Sequence, residues 1–65
     1  MIRFRVRFQT VEKLIEMRMW LFERNMNFEE VSIAAVLVMV FPDPEEAMMF
    51  KLAWGEQLEQ LQTPR

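Results

Sequence analysis

Apolar and polar residues alternate strictly over residues 2–9. Ile2, Phe4, Val6 and Phe8 fall on one side, and Arg3, Arg5, Arg7 and Gln9 on the other. A period of two predicts a β-strand with one apolar face. The period then changes. Residues 11–24 contain no Gly or Pro, their apolar residues recur at helical spacing, and Thr10 stands where an N-cap is needed. On a helical wheel Val11, Leu14, Ile15, Met17, Met19, Leu21 and Phe22 span one broad arc, opposite Glu12, Lys13, Glu16, Glu23 and Arg24. Two residues depart from the pattern: Arg18 lies within the apolar arc, and Trp20 lies on the charged side.

Asn25-Met26-Asn27 is a turn signal. The run VSIAAVLVMVF that follows holds five Val and Ile residues and stops at Pro42, which predicts one strand buried on both faces. Val31, Ile33, Ala35, Leu37, Met39 and Phe41 would form one face, and Ala34, Val36, Val38 and Val40 the other. Asn27-Phe28-Glu29-Glu30 also resembles a helix start, with Asn as cap and Glu three residues on, so a helical reading of residues 28–41 stands beside the strand. A second helix is predicted over 44–54: Asp43 caps it, Pro44 takes the first position, Glu45 and Glu46 complement the dipole, and Gly55 ends it. Ala47, Phe50 and Trp54 share one of its faces, which leaves Met48, Met49 and Leu52 outside.

The pattern thus predicts a small α+β fold in the order β-α-β-α. Its two-stranded parallel sheet would carry the helices on one face and be completed by association. The alternative is a ribbon-helix-helix-like chain, strand then two helices. One domain spans residues 1–55. Residues 56–65 form a polar tail, in which Leu58 and Leu61 could extend the helical stripe as a short further piece.

Composition narrows the chemistry. The 65 residues include no Cys, no His and one Gly. Disulfide staples, zinc sites, thiol nucleophiles, Ser-His-Asp triads and Gly-rich phosphate loops all need what this chain lacks. General acid–base work would fall to carboxylates and Lys, and two acids held across a pocket have little room in so small a domain. The expectation is no enzyme, no cofactor, no metal and no small-molecule substrate. The longest apolar run, residues 33–41, is far short of the ~20 residues of a membrane helix, and residues 1–9 lack the apolar core of a signal peptide. A soluble cytoplasmic protein without a membrane partner is therefore expected.

What remains is surface. Residues 1–9 carry three Arg and no acid, whereas residues 29–65 carry Lys51 and Arg65 against seven acids. Arg3, Arg5 and Arg7 on one strand could bind phosphates or enter a nucleic-acid groove, but the net charge of −2 argues against a nucleic-acid partner. The bland alternative is a solvated ladder paired with acids. Val36, Val38 and Val40 would form an uncovered aliphatic stripe, and Met48, Met49 and Leu52 repeat the problem on the second helix. Arg18 reads as an ion-paired or partner-binding residue. Trp20 reads as either a local contact with Arg24 or an interface anchor. These eleven side chains are the candidate partner contacts, for a second copy in a homodimer or for another protein.

The stretch FPDPEEAMMFKLAWG (41–55) resembles the C-terminal strand-to-helix unit of small uncharacterised bacteriophage proteins. The resemblance implies a viral accessory protein acting in the host cytoplasm, either docking on and modulating a host protein or serving as a small structural or assembly subunit. It assigns no functional residue.

Overall fold

A computed structural model describes residues 1–61. Six regular elements follow one another: β1 (Ile2–Val6), α1 (Val11–Glu23), β2 (Glu29–Ile33), β3 (Val36–Phe41), α2 (Pro44–Trp54) and β4 (Leu58–Leu61). The strands form one sheet in the order β2-β3-β1-β4, and every neighbouring pair is antiparallel. The two-stranded parallel sheet is therefore corrected to a four-stranded antiparallel one, and the ribbon-helix-helix alternative falls with it. A β-α-β-β-α-β chain with β1 and β3 at the centre is the split-βαβ, or ferredoxin-like, arrangement. Such an arrangement names a topology and carries no function with it.

One turn accounts for the third strand and for the antiparallel pairing of β1 with β3. The apolar run of residues 28–41 is two strands, folded back at Ala34-Ala35. Both alanines have positive φ, 50° and 66°. A two-residue hairpin loop with positive φ at both positions matches the right-handed twist of its strands, but Asn-Gly is its usual sequence. Alanine carries no such signal, so the turn was hidden inside a uniformly apolar run. The run was also longer than a typical strand of ~5–6 residues, and that was the clue available. The fold-back changes which side chains share a face. Val31 and Ile33 pair with Val38 and Val36, so all four project together, while Leu37, Met39 and Phe41 project to the opposite side.

Both helices start as the capping residues require. Thr10 Oγ1 accepts from Lys13 N at 3.2 Å, and Asp43 Oδ1 accepts from Glu45 N at 2.9 Å. α1 ends with Asn25 in the left-handed region, φ 53°. There Met26 N donates to the Leu21 carbonyl and Asn25 N to the Phe22 carbonyl, a Schellman closure that buries Met26. Gly55 differs from expectation. Its φ of −53° is right-handed, and it opens a short 3-10 turn over residues 55–57 rather than closing α2 in a left-handed cap. That turn delivers Leu58–Leu61 to the free side of β1, so residues 58–61 are a strand and not a helical continuation.

The helices cover one face of the sheet. Phe4, Met39 and Phe41 from the sheet meet Met17, Leu21 and Phe50 from the helices, all at most 1% exposed. Phe41 and Phe50 are 4.9 Å apart between ring centroids, and Phe4 lies 5.8 Å from each. Such tilted and edge-on aromatic contacts add to the burial of the rings themselves. The chain has no Cys for a disulfide, so a domain this small leans on this cluster for its stability.

Candidate interaction surface

The other face of the sheet has no helix over it. Its side chains follow from the pairing register. Glu29, Val40, Arg3 and Leu61 lie in one row across the four strands, and Val31, Val38, Arg5 and Glu59 in the next. Ile33 and Val36 begin a third row, which Arg7 continues beyond the end of β1. The face is thus divided. Its β2–β3 half is aliphatic, with Val36, Val38 and Val40 half-buried by one another and Val31 and Ile33 exposed. Its β1–β4 half is charged. A depression of ≈ 270 Å³ lies between Arg3, Val31, Ile33, Val38, Val40 and Leu61.

The Arg ladder meets an acid of the same chain. Glu59 on β4 lies 2.8 Å from Arg7 and 3.8 Å from Arg5. Glu59 falls in the stretch expected to be a polar tail, where no sequence signal ties it to the ladder. β4 places it directly opposite Arg5. No described strand places an aromatic ring on this face: Phe4 and Phe41 lie in the core, Phe28, Phe50, Trp20 and Trp54 belong to it or pack against it, Phe22 is on α1, and Phe8 lies beyond the end of β1. A single-stranded nucleic acid binds to such sheets by stacking bases on rings, and here the sheet offers none.

The remaining candidate residues are distributed elsewhere. Arg18 is engaged within the chain: its Nε and Nη2 donate to the two carboxylate oxygens of Glu30 at 2.8 and 2.7 Å, a bidentate pair joining α1 to β2. That hydrogen bonding raises the Arg18 pKa above its ordinary value, so the guanidinium stays charged throughout the accessible pH range. Trp20 packs between the helices, 6.2 Å from the Phe50 ring and 6.5 Å from the Trp54 ring, with the Arg24 guanidinium 4.1 Å from its centroid. Met48, Met49 and Leu52 are exposed on α2, and Met48 borders a hollow that it shares with Ile2, Phe4 and Gln60 of the sheet.

The apolar arc of α1 is only partly buried: the core takes Leu14, Met17 and Leu21, and Val11, Ile15, Met19 and Phe22 stay exposed. The arc spans more than half the helix circumference, and a core-facing stripe needs about 100°. The four residues form an exposed apolar stripe on the side of α1 that faces away from α2. Arg18 borders this stripe and reaches β2, and Phe22 lies 5.9 Å from Phe28 just before β2. The stripe therefore overhangs the β2 side of the domain.

Among the described residues no three His, Cys, Asp or Glu side chains converge. A hollow of ≈ 540 Å³ lies among Arg7, Phe8, Gln9, Lys13, Glu56 and Gln57 and is lined by a single acid. No helix among the described residues is long and apolar enough to cross a membrane. No protein-family model, no curated protein and no solved structure matches the chain.

Proposed function

We propose that this protein is a non-enzymatic protein-binding module whose open sheet face docks on a partner. One observation carries the reading. Five aliphatic side chains, Val31, Ile33, Val36, Val38 and Val40, form a continuous block on a helix-free face, flanked by Arg3 and Arg5. Contiguous apolar surface rimmed by charge is characteristic of protein interaction sites. The complementary partner is an apolar ridge or strand with acidic residues on one flank. A phage-type accessory protein acting on a host protein in the cytoplasm is the biological setting that the 41–55 resemblance supports. The Glu59 contacts and the lack of stacking rings weigh against a nucleic-acid role for the same face.

Selection from a displayed random-peptide library tests this reading. Peptides with an apolar centre and flanking Asp or Glu should be enriched, and Val38→Lys should abolish their binding while the circular dichroism spectrum stays unchanged. Enrichment that survives Val38→Lys and Arg5→Glu, or no enrichment at all, would sink the sheet-face assignment.

A further inference from the structure

We infer that β2 is a dimerisation edge, at which two copies of this chain pair antiparallel about Val31 to form one eight-stranded sheet. The inference is independent of the sheet-face reading, because it concerns the rim of the sheet and the helix above it.

β2 lies at one edge of the sheet, and all five of its residues are exposed. The hairpin fixes which backbone groups are available. Ile33 and Val36 flank a two-residue loop and so form its closing hydrogen-bonded pair. Hydrogen-bonded and non-hydrogen-bonded pairs alternate from there. Ile33, Val31 and Glu29 therefore direct their N–H and C=O groups at β3, and Ser32 and Glu30 direct theirs outward. No described backbone group bonds to Ser32 or Glu30 from outside the sheet. Such an edge is a template for another strand.

Two-fold symmetry then selects a register. A pairing centred on Val31 places Glu30 opposite Ser32 of the second copy, and Ser32 opposite its Glu30. All four of these residues present outward-facing groups, which gives four inter-chain hydrogen bonds. Glu29 falls opposite Ile33, so no like charges face each other. A pairing centred on Glu30 would set two carboxylates directly opposite, which is destabilising. A pairing centred on Ser32 would set Glu30 against Ala34, which lies in the turn and is not extended. The Val31 register is thus the one in which this sequence complements itself. Its inward acid is already neutralised, since Glu30 holds both of its hydrogen bonds from Arg18.

The helix layer supports the same occupant. The exposed stripe of Val11, Ile15, Met19 and Phe22 overhangs this edge. A strand contributed alone by a partner would leave that stripe bare. A second copy brings its own α1 to the same flank, where the two stripes cover one another, as an isologous interface requires.

Light scattering and a designed cross-link test the inference on the full chain. The wild-type protein should have the mass of two chains, and Ser32→Pro the mass of one with an unchanged circular dichroism spectrum. Proline removes only the outward N–H of Ser32 and leaves the β2–β3 ladder intact. Val31→Cys, in a chain that has no other Cys, should form an inter-chain disulfide under mild oxidation, because a non-hydrogen-bonded pair brings its side chains close. Met48→Cys, on α2, should not. A one-chain mass for the wild type overturns the inference. So does a dimer that survives Ser32→Pro but dissociates with Val38→Lys, which would seat the second copy on the sheet face. Should Ser32→Pro fail to fold, the Val31→Cys cross-link alone decides: a monomer after oxidation overturns the proposal.

Discussion

The two faces of the sheet follow the same alternation but are filled by different residue types. Toward the helices the central strands present Phe4, Val6, Met39 and Phe41, all buried. Away from the helices the same strands present Arg3, Arg5, Val38 and Val40. Three of the four inner side chains, Phe4, Met39 and Phe41, are aromatic or unbranched, and they interlock with Phe50, Met17 and Leu21. The outer aliphatics are β-branched, stiff and only half-buried. Valine pairs such as Val31–Val38 pack neighbour against neighbour across the strands without a second layer. The inner face is thus a finished core. The outer face holds a sheet together while leaving apolar area for another molecule.

Adjacent residues on β3 put that contrast to its hardest test. Phe41→Ala removes a fully buried ring that touches Phe4, Phe28 and Phe50. It should cost about 3–5 kcal/mol, which rivals the whole stability of a domain this small. Val40→Ala, one residue away and facing outward, should cost about 1 kcal/mol. Chemical denaturation of the two variants checks the ratio. Similar losses would mean that the outer face is as much a part of the folding core as the inner one.

The hairpin turn decides which residues belong to which face, and it does so at a cost. Ala34 and Ala35 hold φ of 50° and 66°, a region that a Cβ disfavours. Replacing the pair by Asn-Gly supplies the residues that such a turn prefers. The double variant should gain about 1–2 kcal/mol, read as a rise in midpoint at unchanged denaturant slope. A loss of stability would mean that the alanine methyls make contacts worth more than the strain.

This turn also marks where the fold was legible and where it was not. β1, α1 and α2 were readable because each carries two agreeing signals: a period of two for β1, and a periodic run behind a capping Thr10 or Asp43 for the helices. The hairpin was illegible because its turn residues are apolar and small, so pattern and composition both continued through it. β4 was illegible because LEQL is short and its pairing with β1 depends on where the 3-10 turn aims it. Of the candidate contacts, Arg3, Arg5, Val36, Val38 and Val40 are brought together by register, with Arg7 continuing the ladder. Arg18 and Trp20 instead find partners within the chain, in Glu30 and in the Phe50 and Trp54 rings. The exposed stripe on α1 was missed because wheel position gives an apolar arc but not which part of it the sheet will meet.

The smallest expected effect lies on the outer face, at Glu59. Its carboxylate sits beside Arg5 and Arg7, and all three side chains are between 45% and 65% exposed, so water and salt screen the attraction. Glu59→Gln should change stability by no more than about 0.5 kcal/mol after that screening. Its informative consequence is electrostatic. Removing one negative charge from this face leaves Arg5 and Arg7 without their shared counter-ion. If Glu59 is what suppresses phosphate binding, the variant should acquire weak, salt-sensitive affinity for duplex DNA that the wild type lacks, measurable by fluorescence anisotropy at low and high salt. If wild type and variant bind duplex alike, Glu59 does not restrain the ladder, and the guanidinium groups are available to phosphate in the native protein. If neither binds, the arginines serve the flank of a protein-docking face, and the contrast between the two faces is one of packing alone.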